Sequence, residues 1–133
     1  MNHTIVVSFV GTRVHAEPNP LPAPAGDVVS PEDTVTWQFD PPRRLDVKFQ
    51  LVRDLPAGTP QPTSSPLGPC SSIVPDVGQI VATIRKDVPT DIAQTKRFFY
   101  KLLDENGVPL EWHNPVEVDL INGGGIDIPR TPP

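Results

Sequence analysis

Residues 45–51 read Leu-Asp-Val-Lys-Phe-Gln-Leu, with an apolar side chain at every second position. A period of two is the pattern of a β-strand that has one face in a core and the other in water. Val35, Trp37 and Phe39 repeat the pattern in the preceding segment. No helical periodicity runs long enough for a sizeable helix, so the sequence predicts an all-β fold.

Short β-branched and aromatic runs between clusters of Pro, Gly and Asp extend this prediction along the chain. Asp104-Glu105-Asn106-Gly107 predicts a turn between two strands. Seven or eight strands at this spacing are typical of a Greek-key β-sandwich. The predicted strands are Thr4–Val10, Arg13–Ala16, Thr34–Phe39, Leu45–Val52, Gln79–Ile84, Lys96–Leu103, Val116–Ile121 and Gly125–Ile128.

Composition narrows the class of protein. The length predicts one domain, residues 1–128, followed by a Pro-rich tail, residues 129–133. The net charge of -5, without a basic patch, argues against nucleic acid as a partner. The apolar run Ile5–Val10 is too short to span a membrane and lacks the features of a secretory signal, so a cytoplasmic location is expected.

Lys101 and Asp119 are charged residues set in apolar runs, eighteen residues apart. Strands of such composition are expected to be largely buried, where a charged group needs a partner or a change of protonation. The two residues can form an ion pair or react with each other. Taken alone, the pattern favours an ion pair or two outward-facing side chains.

The first half of the chain resembles a cupredoxin, the fold of small blue-copper proteins. Glu17–Leu21, Ala25-Gly26-Asp27 and Asp33–Trp37 follow the order seen in that family. The resemblance implies a cupredoxin- or immunoglobulin-like sandwich, but not copper. Asp46 lies where the family has a histidine, and Cys70 has no histidine at short spacing after it. Because the ligand set of two His, one Cys and one Met is missing, no metal and no other cofactor is expected.

A second resemblance covers nearly the whole chain and is to the small bacterial DP-EP family, named for its Asp-Pro and Glu-Pro dipeptides. Glu17-Pro18, Asp40-Pro41, the chain length and the spacing of Lys101 and Asp119 carry it. The resemblance implies a β-sandwich that processes itself in the manner of an aspartic peptidase. The chain would be cut after Asp119, before Leu120, and Lys101 would become linked to that aspartate.

An aspartate can cleave its own chain because its carboxylate can close a five-membered anhydride on its own carbonyl carbon. The leaving group at Asp119 would be the amine of Leu120, which needs a proton from a nearby acid. Water, or the neutral amine of Lys101, then opens the anhydride, and the lysine gives an isopeptide link. Direct hydrolysis of the Asp119–Leu120 bond by an acid-activated water is the alternative.

Glu117 and Glu17 are the first predictions for a second catalytic carboxylate. Glu117 lies two residues before Asp119, on the same side of a strand, and Glu17 belongs to the Glu-Pro dipeptide. Asp40 and Asp46 are the alternatives.

Two functions therefore compete. The first is a self-processing peptidase whose partner is its own C-terminal segment. The second is a metal-free binding or assembly module, with a second copy of the chain as a partner. Its contact surface would be edge strands and the loop Leu55–Pro69. His3, His15 and His113 lack metal-ligand spacing, so no metal site is expected from them.

Overall fold

The computed structural model describes residues 1–49, 67–87, 96–116 and 123–128. Within these ranges the chain forms eight strands and no helix, which confirms the predicted all-β class. The strands are β1 (Asn2–Val10), β2 (Arg13–Glu17), β3 (Thr34–Phe39), β4 (Asp46–Phe49), β5 (Cys70–Asp76), β6 (Gln79–Ile84), β7 (Lys96–Leu103) and β8 (Gly124–Ile128). A helix long and apolar enough to cross a membrane is absent from the described residues.

The strands form a five-stranded sheet in the order β2-β1-β3-β6-β5 and a three-stranded sheet in the order β4-β7-β8. Neighbouring strands are antiparallel except β1 and β3, which are parallel. The chain changes sheet between β3 and β4, again before β5, and once more between β6 and β7. Such cross-sheet connections are those of a Greek-key sandwich, as the strand spacing predicts.

Alternation places the core between the two sheets. In β4, Val47 and Phe49 are buried while Asp46 and Lys48 are exposed, as the period of two predicts. The core contains these large, fully buried side chains: Trp37, Tyr100, Phe49, Phe98, Phe99, Ile5, Leu45, Ile80, Ile84, Leu102 and Ile126. Burial of these groups from both sheets is the main force that holds the sheets together.

Tyr100 lies at the centre of an aromatic cluster in this core. Its ring meets Trp37 edge-on at a centroid distance of 5.3 Å and Trp112 at 5.7 Å. On the paired strand, a Cβ atom at Gly124 would lie 2.3 Å from Cζ of Tyr100. Glycine at position 124 therefore leaves the space that the tyrosine ring fills.

The strand predictions fail at β5. Ser71, Ser72 and Pro75 interrupt the apolar alternation there, and proline is rare inside a sheet, so the sequence gives no strand signal. As the last strand of the five-stranded sheet, β5 can hold Pro75 because edge strands tolerate a missing donor. Of the predicted loop Leu55–Pro69, the described part is a turn at 67–69, and the predicted strand Val116–Ile121 lies outside the described residues except for Val116.

Candidate functional site

Lys101 lies on β7 with its side chain on the outer face of the three-stranded sheet. The neighbouring Tyr100 and Leu102 are fully buried, whereas Lys101 is half-buried. The strand is therefore largely buried, as expected, but the ammonium is not enclosed by the core. The reason is the alternation of side chains along a strand, which turns position 101 away from the inner face.

A second lysine stands opposite the first. Lys48 of β4 pairs directly with Lys101 in the antiparallel ladder. Among the described residues, neither ammonium has a carboxylate within ion-pair distance, whereas Arg97 on the same strand is paired with Asp127 at 2.7 Å. Like charges opposite each other are unfavourable, so a carboxylate placed between them would be stabilised.

Both lysines line a shallow cleft on this face. The cleft has a volume of about 210 Å³, and its other lining residues are Leu103, Gly107 and Pro109. Apolar side chains and two cations form its wall. The cleft is thus suited to an acidic segment of chain rather than to a cation.

The described residues on either side of the segment 117–122 come together next to Lys101. The Val116 amide donates a hydrogen bond of 2.9 Å to the Gly123 carbonyl. A Cβ atom at Gly123 would lie 2.3 Å from the Tyr100 carbonyl oxygen and 3.6 Å from Cγ of Lys101. Glycine at this position lets the chain pass close to β7. Glu117, Asp119 and Leu120 themselves lie outside the described residues.

Glu17 is held elsewhere. It ends β2, is 70% exposed in its side chain, and accepts a hydrogen bond of 3.1 Å from Nε2 of His15. It forms no ion pair with Lys101. The structure therefore brings Glu17 to a histidine and not to the lysine. Asp40 follows β3 as an exposed turn residue whose backbone amide donates to the Val7 carbonyl.

Asp46 lies at one end of the sandwich, at the start of β4. Its Oδ1 accepts a hydrogen bond of 2.8 Å from the amide of Val47. The same carboxylate lines a cavity of about 270 Å³ together with Arg44, Leu45, Pro75, Leu103, Asp104, Glu105 and Gly107. Charges of both signs surround this cavity, so its lining does not select one class of ligand. Oδ1 of Asp104 is engaged by the amides of Asn106 and Val108, which closes the predicted turn.

Cys70 is a buried thiol. Its side chain lies in the core at the start of β5, and burial raises the pKa of the thiol to about 12, with Arg85 opposing the shift. Only a thiolate is a nucleophile or a metal ligand, so Cys70 is inert at neutral pH.

Two histidines that the sequence does not connect lie in contact. Nδ1 of His15 is 3.1 Å from Nδ1 of His113, although the residues are 98 positions apart. The third, His3, is buried and contacts Asp33, with Nε2 2.8 Å from Oδ2. The sequence spacing of His15 and His113 does not predict their contact, because the contact depends on the path by which the segment after β7 returns to β2.

Comparison with known proteins identifies no relative of this chain. No protein-family model, curated protein or solved structure matches the chain. The resemblance to the DP-EP family therefore stays a prediction from the residues that carry it.

Proposed function

We propose that this chain processes itself at the Asp119–Leu120 bond and that Lys101 is the amine that captures the activated aspartate. The observation that supports the proposal is that Val116 and Gly123, the described residues on either side of 117–122, are hydrogen-bonded to each other beside Lys101. Asp119 is three residues from Val116, so the covalent chain keeps the two Cα atoms within about 11 Å of each other. At the other end of the segment, the Cβ position of Gly123 lies 3.6 Å from Cγ of Lys101. The chain therefore limits how far Asp119 can be from the lysine.

The reaction needs one activated carbonyl and two proton transfers. A carboxylate oxygen of Asp119 attacks the carbonyl carbon of the same residue, and the bond to the Leu120 nitrogen breaks as that nitrogen gains a proton. The neutral amine of Lys101 then attacks the cyclic anhydride, loses a proton and leaves an amide link and a free carboxylate. Water in place of the amine gives a cut chain without a link.

Several groups are candidates for the acid that protonates the leaving amine. Glu17 is engaged with His15 on another sheet, which argues against it. Glu117, the alternatives Asp40 and Asp46, and the ammonium of Lys101 remain as donors. If Lys101 gives its proton to the Leu120 amine, the same step produces the neutral nucleophile, so one residue serves both steps.

Lys48 and the cleft supply a reason for the acidic segment to settle there. Two ammonium groups with no described carboxylate partner lie side by side on this face and would attract carboxylates such as those of Glu117 and Asp119. The proximity that results is what an otherwise slow amide cleavage requires.

Mass spectrometry of the denatured chain after long incubation tests the proposal. Cleavage releases residues 120–133, and a linked product containing residues 1–119 is one water lighter than the hydrolysed one. Asp119→Ala should abolish both products. Asp119→Asn should slow cleavage and still permit linkage with loss of ammonia.

Two lysine variants separate the roles on this face. Lys101→Ala should remove the link and leave a slower cleavage, while Lys48→Ala, one strand away on the same face, should form the same link more slowly. An uncut wild-type chain, with Lys101 and Asp119 recovered in separate unmodified peptides at every pH tried, would refute self-processing.

One observation favours the second function, a binding or assembly module. β5 is an edge of the five-stranded sheet, and Val74 within it and Val77 directly after it are 59% and 60% exposed. An edge strand can pair with a second copy of the chain. Sedimentation of the wild type and of Val74→Glu over a range of concentrations tests this, since the charge should shift any dimer toward monomer.

A further inference from the structure

His15 and His113 are presented to each other by two rigid pieces of backbone. His15 lies inside β2, paired with Ser8 of β1. The amide of His113 donates a hydrogen bond of 2.7 Å to the Val14 carbonyl. The side chain of Asn114 then bonds both backbone groups of Ala16, at 3.0 and 2.6 Å. The two histidine backbones are therefore fixed relative to one another before any ligand arrives.

Glu17 determines which nitrogen of His15 carries a proton. A carboxylate only accepts hydrogen bonds, so Nε2 of His15 must be the protonated nitrogen in its contact with Oε1 of Glu17. Nδ1 of the neutral ring then bears a lone pair, and His113 donates its own Nδ1–H to it. The two Nδ1 atoms therefore share one proton in a single hydrogen bond.

From this geometry we propose that His15 and His113 form a bidentate site for a divalent transition-metal ion such as Zn²⁺ or Ni²⁺. An ion about 2.05 Å from both nitrogens, which are 3.1 Å apart, would be held at an angle of roughly 100°. That angle lies between the square-planar and tetrahedral values that such ions adopt.

Binding replaces the shared proton. His113 takes its proton at Nε2 instead of Nδ1, and both lone pairs turn to the ion. The ring centroids are 5.3 Å apart, so the rings now lie end to end and each must rotate to converge on the ion. The freedom exists because the His113 residue is exposed and the side chain of His15 is 28% exposed.

Glu17 supports the site without being counted as a ligand. A metal-bound histidine commonly donates its other N–H to a carboxylate, which fixes the tautomer and strengthens the bond to the metal. The other charged groups on these two segments, Arg13 and Glu111, lie 3.7 Å apart and neutralise each other. The described residues offer no third His, Cys, Asp or Glu in ligand position, so water fills the remaining coordination positions.

Calorimetric titration of the full chain with zinc chloride or nickel chloride tests the site. We expect one ion per chain, with His15→Ala and His113→Ala each weakening binding at least about tenfold. Glu17→Ala should weaken binding by about tenfold, as loss of a supporting carboxylate does. His3 is present in every variant and serves as the internal control for a histidine outside the site.

Two further measurements distinguish binding at His15 and His113 from adventitious binding elsewhere on the chain. In nitrogen NMR spectra, zinc should move the Nδ1 signals of His15 and His113 and leave those of His3 in place. Because the ion joins residues far apart in sequence, it should also raise the denaturant midpoint of the wild type and not that of His113→Ala. Absence of binding, an affinity unchanged in either histidine variant, or zinc shifts confined to His3 would overturn the proposal.

Discussion

Lys48 and Lys101 occupy directly opposed positions in the ladder between β4 and β7. Two cations so placed raise the free energy of the folded state, because cross-strand neighbours lie within reach of each other. The arrangement persists although Asp46 and Leu103, the next pair along the outer face, carry no compensating contact to them.

The first prediction reverses one of these charges. In a chain that carries Glu117→Gln and Asp119→Ala, and so lacks the carboxylates proposed to approach the lysines, Lys48→Glu should raise the free energy of unfolding by up to about 1 kcal/mol at low salt, since it replaces a like-charge pair by an opposite-charge pair. Urea unfolding at low and high salt measures the change, and the gain should shrink as salt screens the pair. A loss of stability at low salt would show that another group already neutralises Lys101.

Gly124→Ala should destabilise the sandwich by about 1–3 kcal/mol, the usual cost of overpacking. The new methyl group would meet the Tyr100 ring at a distance that no packing tolerates. Combining it with Tyr100→Leu should cost less than the two single changes together, because the leucine frees the space. If the losses of unfolding free energy in the two single variants simply add in the double variant, the alanine at position 124 is not strained by the Tyr100 ring.

The pH dependence of stability should report on Asp33. Burial acts to raise the pKa of this carboxyl, but hydrogen bonds from His3 and the Ser30 amide, with the Met1 amino group, outweigh it and leave the pKa below its ordinary value of 3.8. A lowered folded-state pKa gives stability that is complete above pH 3.8 and lost as the pH falls through the folded value.

Asp33→Asn removes that contribution. Its deficit in unfolding free energy relative to the wild type should be largest near neutral pH and should diminish below pH 3.8. Asp27→Asn, an exposed aspartate, is the matched control and should show no such trend. A deficit that is the same at neutral and acid pH would mean that the asparagine acts through packing rather than charge.

The sequence predicts most of the fold because alternation is a local property. Val47 and Phe49 face inward and Lys48 outward for the same reason that the letters alternate. β5 is not predicted because an edge strand needs neither alternation nor a full set of backbone hydrogen-bond donors. Pro75 and the serines before it are therefore tolerated there.

The site is less predictable because its residues meet through tertiary structure. The apolar run around Lys101 indicates a buried strand, and the strand is largely buried, yet side-chain direction leaves the lysine half outside. Glu17, a candidate for the second carboxylate, lies against His15, a contact that its place in a Glu-Pro dipeptide does not predict. The contact of His15 with His113 depends on the bridge between Val14 and Trp112, which no local pattern announces.

Cys70 should resist modification in the native state. Its pKa of about 12 and its burial leave almost no accessible thiolate at neutral pH. A chromogenic disulfide reagent should therefore react at a rate set by opening of the structure, and should react at once in denaturant. Rapid reaction of the native chain would show that the first residues of β5 open independently of the core.

The last prediction concerns Gly123 and links the fold to the proposed chemistry. A Cβ atom there would lie 2.3 Å from the Tyr100 carbonyl, so Gly123→Ala must push the returning chain away from β7 and from Lys101. If capture of Asp119 by Lys101 depends on this close passage, the linked fraction should fall and the hydrolysed fraction should rise, because water competes better for a displaced anhydride. Gly11→Ala, in the turn between β1 and β2, is the control: its φ of 63° strains an alanine, yet a Cβ atom there meets nothing within 4 Å. It should lower stability through backbone strain and leave the ratio of linked to hydrolysed product unchanged. The ratio is read by mass spectrometry under conditions where both variants are fully folded. An equal ratio in Gly123→Ala and the wild type would show that capture of Asp119 by Lys101 does not depend on the close approach of residue 123 to β7.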